Sequence, residues 1–205
     1  DAFVLLKRLP ADSFQSFTVF SADQGVLPVL QRVPRTRVTR ASKAGNTLSS
    51  LALDLFDEVT LLLESSSQGR IWFVKEARLI TRHTGIGRSY EALRLASTLA
   101  MLIARNPVHE DSRSAAAQLL QTAFAAFPGP RPDIVYFKSV YRFARQEGYP
   151  LKEQWFPTLP AADRTEAATL LNRPLAGQTA PSVTVGRLQR RLEEYLREYT
   201  EILLE

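Results

Sequence analysis

The period of the hydrophobic pattern changes once along this chain, near residue 82, and that change excludes any fold built from one kind of element. Before it, apolar residues come in short runs rich in β-branched and aromatic side chains. Ala2 to Arg8, Phe14 to Phe20 and Val26 to Leu30 are the first three; Phe56 to Glu64 and Arg70 to Ile80 follow a long polar stretch. Ser21-Ala22-Asp23-Gln24-Gly25 holds the Asp and Gly that a hairpin needs, and Ser65-Ser66-Ser67-Gln68-Gly69 separates the last two runs. Pro28 has no N–H to give to a ladder, so the third strand should have a free side or a bulge there. In the fifth run Ile71, Phe73, Ala77 and Leu79 share one face, with Lys75 as the exception; Trp72, Val74, Glu76, Arg78 and Ile80 take the other. Five short strands, with one long connection between the third and fourth, predict an OB-type β-barrel over residues 1–82.

From Arg88 the spacing is helical, so residues 83–205 are expected to form an all-α domain and the whole chain an α+β protein. Ser89 to Arg105 is apolar on nearly every side and predicts a buried central helix, stopped by Asn106-Pro107. Asp111 and Asp133 are candidate N-caps for helices ending at Phe127 and Glu147; Gly148-Tyr149-Pro150 is a strong stop for the second of these. A short helix over Asp163 to Asn172 follows a connector with aromatic and proline residues. A last helix, capped by Ser182, is expected to run to about Leu204 and to pack its Leu188, Leu192, Tyr195, Tyr199, Ile202 stripe on the body.

Several chemistries are excluded or disfavoured. With no cysteine, disulfides, thiol catalysis and Cys-ligated zinc are impossible, and a reducing cytoplasm is the expected setting. His83 and His109 are far apart and stand in no metal-ligand spacing. No Walker A, GxSxG or HExxH motif occurs, and Gly85-Ile86-Gly87 lacks the third glycine of a dinucleotide loop. Asp54, Asp57 and Glu58 stand close enough for a metal-dependent nuclease, but such clusters are common in loops. No apolar run approaches the ~18 residues of a membrane span, and the first residues do not read as a signal peptide. Neither a catalytic residue, a cofactor nor a metal is expected.

Positive charge is the informative remainder. Lysine and arginine exceed aspartate and glutamate, 26 to 21. From Gln24 to Leu53 there is no acidic residue at all, while Arg32, Arg35, Arg37, Arg40 and Lys43 fall among small polar residues. Cations on a barrel connection neutralise phosphates and release counterions, which gives sequence-tolerant, salt-sensitive binding of nucleic acid. The bland alternative is a merely solvated loop, but five uncompensated charges repel one another without an anionic ligand. Lys138, Arg142 and Arg145 lie at i, i+4 and i+7 on one helix face; such a stripe is more often plain solvated surface, and DNA contact is its sharper reading. Arg78, Arg82 and Arg88 are comparable. Of the barrel aromatics Phe14, Phe17, Phe20, Trp72 and Phe73, most should be core, and Trp72 is the first candidate for stacking on a base.

The order of these features resembles the recombination mediator RecO. Phe3-Val4-Leu5-Leu6-Lys7-Arg8, Asp12-Ser13, Phe17 to Phe20, Asp23-Gln24-Gly25-Val26 and Gln31-Arg32-Val33-Pro34-Arg35 match the opening of that family; Phe73 to Ile80 is similar to its last barrel strand, and Glu147-Gly148-Tyr149-Pro150 to the step closing a helix. The match is diffuse but collinear from Phe3 to Pro150. The resemblance implies an OB-fold followed by a helical domain, binding of single- and double-stranded DNA, annealing of complementary strands, and help in RecA loading with RecR and the C-terminal tail of single-stranded-DNA-binding protein. It also implies a bacterial cytoplasmic, nucleoid-associated protein. The four-Cys zinc module of many relatives is absent, and the Glu-rich C-terminal helix departs from the family's basic ending. A protein-interaction scaffold with weak or no DNA binding is the alternative.

Overall fold

The computed structural model of the protein describes residues 1–11, 13–33, 51–66 and 71–204. It divides into two compact units, Asp1–Arg82 and His83–Glu205.

The first unit is a closed five-stranded barrel, the OB-fold. Its strands are β1 (Ala2–Lys7), β2 (Phe14–Ser21), β3 (Gly25–Arg32), β4 (Glu58–Ser66) and β5 (Ile71–Thr81), in the order β1-β2-β3-β5-β4. All neighbours are antiparallel except β3 and β5, which run parallel with Val29 opposite Trp72 and Leu30 opposite Phe73. Pro28 precedes that short pairing, so its missing N–H faces no partner on the β5 side. Gly25 turns the β2–β3 hairpin at φ +73°, a left-handed conformation that a side chain would resist.

Ala2, Val4, Phe17, Val19, Val29, Leu53 and Val59 form the barrel core. Strict alternation along β5 does not survive. Opposite β4, the register passes from Glu76 to Val74 and from Thr81 to Leu79, leaving Lys75 and Ile80 as bulged residues. The extra residue at Lys75 reverses the phase of the strand. The residues that pack on the core are therefore Trp72 and Val74 before the bulge and Ala77 and Leu79 after it, and Phe73 takes the opposite side. The apparent exception in the sequence pattern was the bulge itself.

The second unit is helical: α1 (Tyr90–Arg105), α2 (Glu110–Ala126), α3 (Pro132–Gln146), α4 (Trp155–Thr158), α5 (Ala161–Asn172) and α6 (Ser182–Tyr199). The central helix is α3, which touches α1, α2, α5 and α6, rather than the expected α1. α1 leaves Tyr90 and Leu93 exposed, so its apolar composition overstated its burial. α3 ends in a Schellman motif at Gly148 (φ +92°): Tyr149 N–H donates to Ala144 O and Gly148 N–H to Arg145 O.

Helix starts differ by a residue or two from expectation. His109 and Arg131 occupy the cap positions of α2 and α3, Pro132 takes the first turn with its fixed φ, and Pro181 precedes Ser182. Asp133, inside α3, instead binds Arg131 through both carboxylate oxygens. α6 stops at Tyr199, five residues short of the expected end, because the chain turns to pair with the side chain of Asn106. That amide, 5% exposed, accepts from Leu203 N–H and donates to Leu203 O, copying a strand neighbour. Among the described residues, no helix is long and apolar enough to cross a membrane.

Candidate functional site

Of the five cations expected to meet an anion on the barrel, Arg32 is described, and Arg35, Arg37, Arg40 and Lys43 lie outside the described residues. Arg32 is exposed at the end of β3, and Val33 N–H donates to Ser13 O at 2.8 Å. The connection returns to a heavily fastened root. Gln31, nearly buried, donates to Leu51 O at 2.6 Å, and Arg82 donates to Ala52 O at 2.8 Å.

The neighbouring carboxylates hold that root together. Asp57, wholly buried, receives Arg82 at 2.9 and 2.7 Å on its two oxygens, and also the N–H of Asp54. Asp54 pairs with Lys7 at 3.0 Å. Burial opposes its ionisation, but the hydrogen bonds from Lys7 and from Leu55 N–H outweigh that and hold its carboxyl below the ordinary range. Asp57 is thus engaged by an arginine and Asp54 by a lysine, and both carboxylates fasten the root. No group of three or more His, Asp or Glu suited to a metal occurs among the described residues.

The outer side of the barrel bears a feature that periodicity misassigned. Phe14 stands opposite Arg32, and Ser16, Leu30, Phe73 and Glu64 line up across β2, β3, β5 and β4. The rings of Phe14 and Phe73 meet across β3 with centroids 5.4 Å apart, tilted by 59°. Both are half-buried; Ile71 on the same side is exposed. Phe17 and Phe20 are fully buried, and Trp72 packs on the barrel core instead of facing outward.

In the helical unit, folding brings Lys138, Arg142 and Arg145 into the wall of one groove of about 840 Å³, and adds Lys152 from the turn after α3. Leu119, Val135, Phe156 and Leu171 supply apolar floor, and among the described residues no Asp or Glu lines it. Lys138 donates to Arg173 O at 2.7 Å, and burial pushes its pKa down. The guanidinium of Arg145 lies 6.0 Å from the Tyr141 ring centroid, the outer range of a cation–π contact. Beneath them Trp155, 1% exposed, contacts Tyr141 and Phe156 at 6.0 and 5.3 Å between centroids. The helix stripe was legible in the sequence; Lys152 and most of the apolar floor were not, because α2, α4, α5 and the turn after α3 contribute them. Arg78 and Arg88 are exposed, outside both constellations.

Comparison with protein-family models and with curated proteins gave no match.

Proposed function

We propose that this chain is a non-catalytic DNA-annealing protein of the recombination-mediator type that the sequence resembles. It would bind single- and double-stranded DNA, work with RecR in loading RecA, and act in the bacterial cytoplasm at the nucleoid. One observation carries the reading. A closed OB barrel, in which Asp57 and Asp54 are paired with Arg82 and Lys7, carries exposed Arg32 at the end of β3, and the acid-free stretch that follows in sequence holds four more cations. The mechanism is electrostatic. Cations on the barrel neutralise the phosphates of one strand, so that a complementary strand approaches without like-charge repulsion; no bond is made or broken. The test is annealing of two complementary oligonucleotides coated with single-strand-binding protein, followed by fluorescence transfer. Acceleration by the protein is expected, and an annealing rate equal to the protein-free rate sinks the reading.

The groove favours a second component, and on its own supports the scaffold reading. Four cations around an apolar floor suit an extended peptide with acidic and large apolar side chains, such as the C-terminal tail of single-strand-binding protein. A fluorescent tail peptide should bind, and a charge-matched peptide with its apolar residues replaced by serine should not. Peptide capture without any oligonucleotide binding would make the chain a scaffold alone.

A further inference from the structure

We propose that Phe14 and Phe73 form a stacking platform for the unpaired bases of single-stranded nucleic acid, with Arg32 beside it on the phosphate track. This rests on the DNA-binding reading above and adds to it a preference for single strands over duplex at this face. The two rings lie on the side of the barrel away from its core, in contact with each other across β3. Strand register puts Arg32 directly opposite Phe14 and Leu30 directly opposite Phe73, so a charged and an apolar surface adjoin within one strand spacing. That is the arrangement single strands require. A flat π surface takes a base whatever its identity, and a neighbouring cation takes the phosphate. In duplex DNA the base faces are already stacked on one another, so rings of this kind gain nothing there. Glu64, exposed opposite Phe73 on the β4 side, gives the face a polarity, because phosphates are repelled there and drawn toward Arg32. Ile71, exposed and on the same side, extends the apolar surface by one residue. Trp72 has no part in this, since it faces the barrel core.

The experiment is anisotropy of a labelled thymidine oligonucleotide and of a duplex of equal length, each over a salt series, with the full chain and the variants Phe14→Leu, Phe73→Leu and Phe73→Trp. Leucine keeps the apolar volume without the π face, and thermal melting shows whether each variant stays folded. Each leucine variant should bind the single strand about fivefold or more weakly at every salt concentration. The slope of log affinity against log salt should not change, because no phosphate contact is removed. Duplex affinity should stay within twofold, and Phe73→Trp should bind at least as well as the starting protein. Ultraviolet crosslinking to the thymidine strand should attach at Phe14 or Phe73. Single-strand binding unchanged in both leucine variants, or equal losses on single strand and duplex, overturns the assignment. So does a dimer of the starting protein that dissociates in Phe73→Leu, which would give the face to a second copy of the chain. If the starting protein binds no oligonucleotide at all, the DNA-binding reading fails first; if charge reversal of the connection abolishes binding while the leucine variants behave normally, only the stacking platform fails.

Discussion

The barrel and the helical unit both present cations beside apolar surface, but they reach that arrangement by opposite routes. In the barrel unit the charges are close together in sequence: Arg32 at the end of β3 and, after it, Arg35, Arg37, Arg40 and Lys43 fall within one acid-free stretch. In the helical unit Lys138, Arg142 and Arg145 share a helix face, but Lys152 and the floor residues Leu119, Phe156 and Leu171 come from other elements. A contiguous cluster is suited to a flexible polyanion that is read without regard to sequence. A groove assembled from several helices has fixed depth and spacing, which suits a ligand of defined shape. The same kind of charge therefore points to two different ligands, and the surfaces should be separable by mutation.

The largest expected separation comes from reversing Arg35, Arg37 and Arg40 to glutamate. Single-strand affinity should fall by about a hundredfold or more near ~0.1 M salt, and the log–log salt slope should flatten by about 2. Binding of an acidic peptide to the groove should be untouched in the same protein, as read by anisotropy; parallel loss of both would collapse the distinction.

Next is the barrel's internal ion pair. Arg82→Leu leaves the Asp57 carboxylate buried without its partner. The expected loss in denaturant unfolding is about 2–3 kcal/mol, lower than for a fully buried pair because Arg82 is 37% exposed. A loss under ~0.5 kcal/mol would show that the root of the connection is held by Gln31 and the backbone alone.

Reversal of Arg142 and Arg145 to glutamate should weaken acidic-peptide binding about tenfold or more and leave single-strand affinity within about threefold, given their exposure to solvent. An equal loss of oligonucleotide binding would return the α3 stripe to the DNA interface. Trp155, buried against Tyr141 and Phe156, should report peptide binding by a change in intrinsic fluorescence.

The smallest effect is a difference in acid sensitivity. Burial disfavours the charged form of Asp133, yet Arg131, Ile134 N–H and Ser182 outweigh it and hold its carboxyl below the ordinary range; Asp54 is depressed likewise in the barrel. A depressed folded-state pKa means stability that is fully present above the unfolded value and lost as pH falls through the folded one. Asp133 is 13% exposed and Asp54 62%, so solvent screening leaves Asp54 the smaller share. Asp133→Asn should thus flatten the acid limb of the melting profile more than Asp54→Asn does. The reverse order would refute the ranking by burial.

Most of the architecture is legible in the sequence. Short β-type runs ended by Ser, Asp and Gly gave the strands, and the 3.6-residue spacing from Arg88 gave the helices, because both follow from local backbone preference and one-sided burial. Legibility stopped where one residue changes the phase of a strand. Lys75 reads as a polar interruption of an apolar face, yet as a bulge it sends Trp72 inward and Phe73 outward, and so moves the outward-facing aromatic from one residue to its neighbour. The carboxylates Asp54 and Asp57 were equally ambiguous in sequence. What distinguishes a cation-paired cluster from a metal site is the position of Lys7 and Arg82, which lie far from them along the chain.

By itself, then, the sequence determined the two-part architecture, the absence of thiol chemistry and the acid-free basic connection, since each depends on composition or on neighbours within a few positions. The tertiary structure decided which aromatics line the outside of the barrel, that α3 rather than α1 is central, and that a basic stripe becomes the wall of a groove. Those outcomes depend on strand register and on contacts between distant segments. A one-residue slip inverts every side chain of a strand, and a helix face acquires a meaning only from what packs beside it.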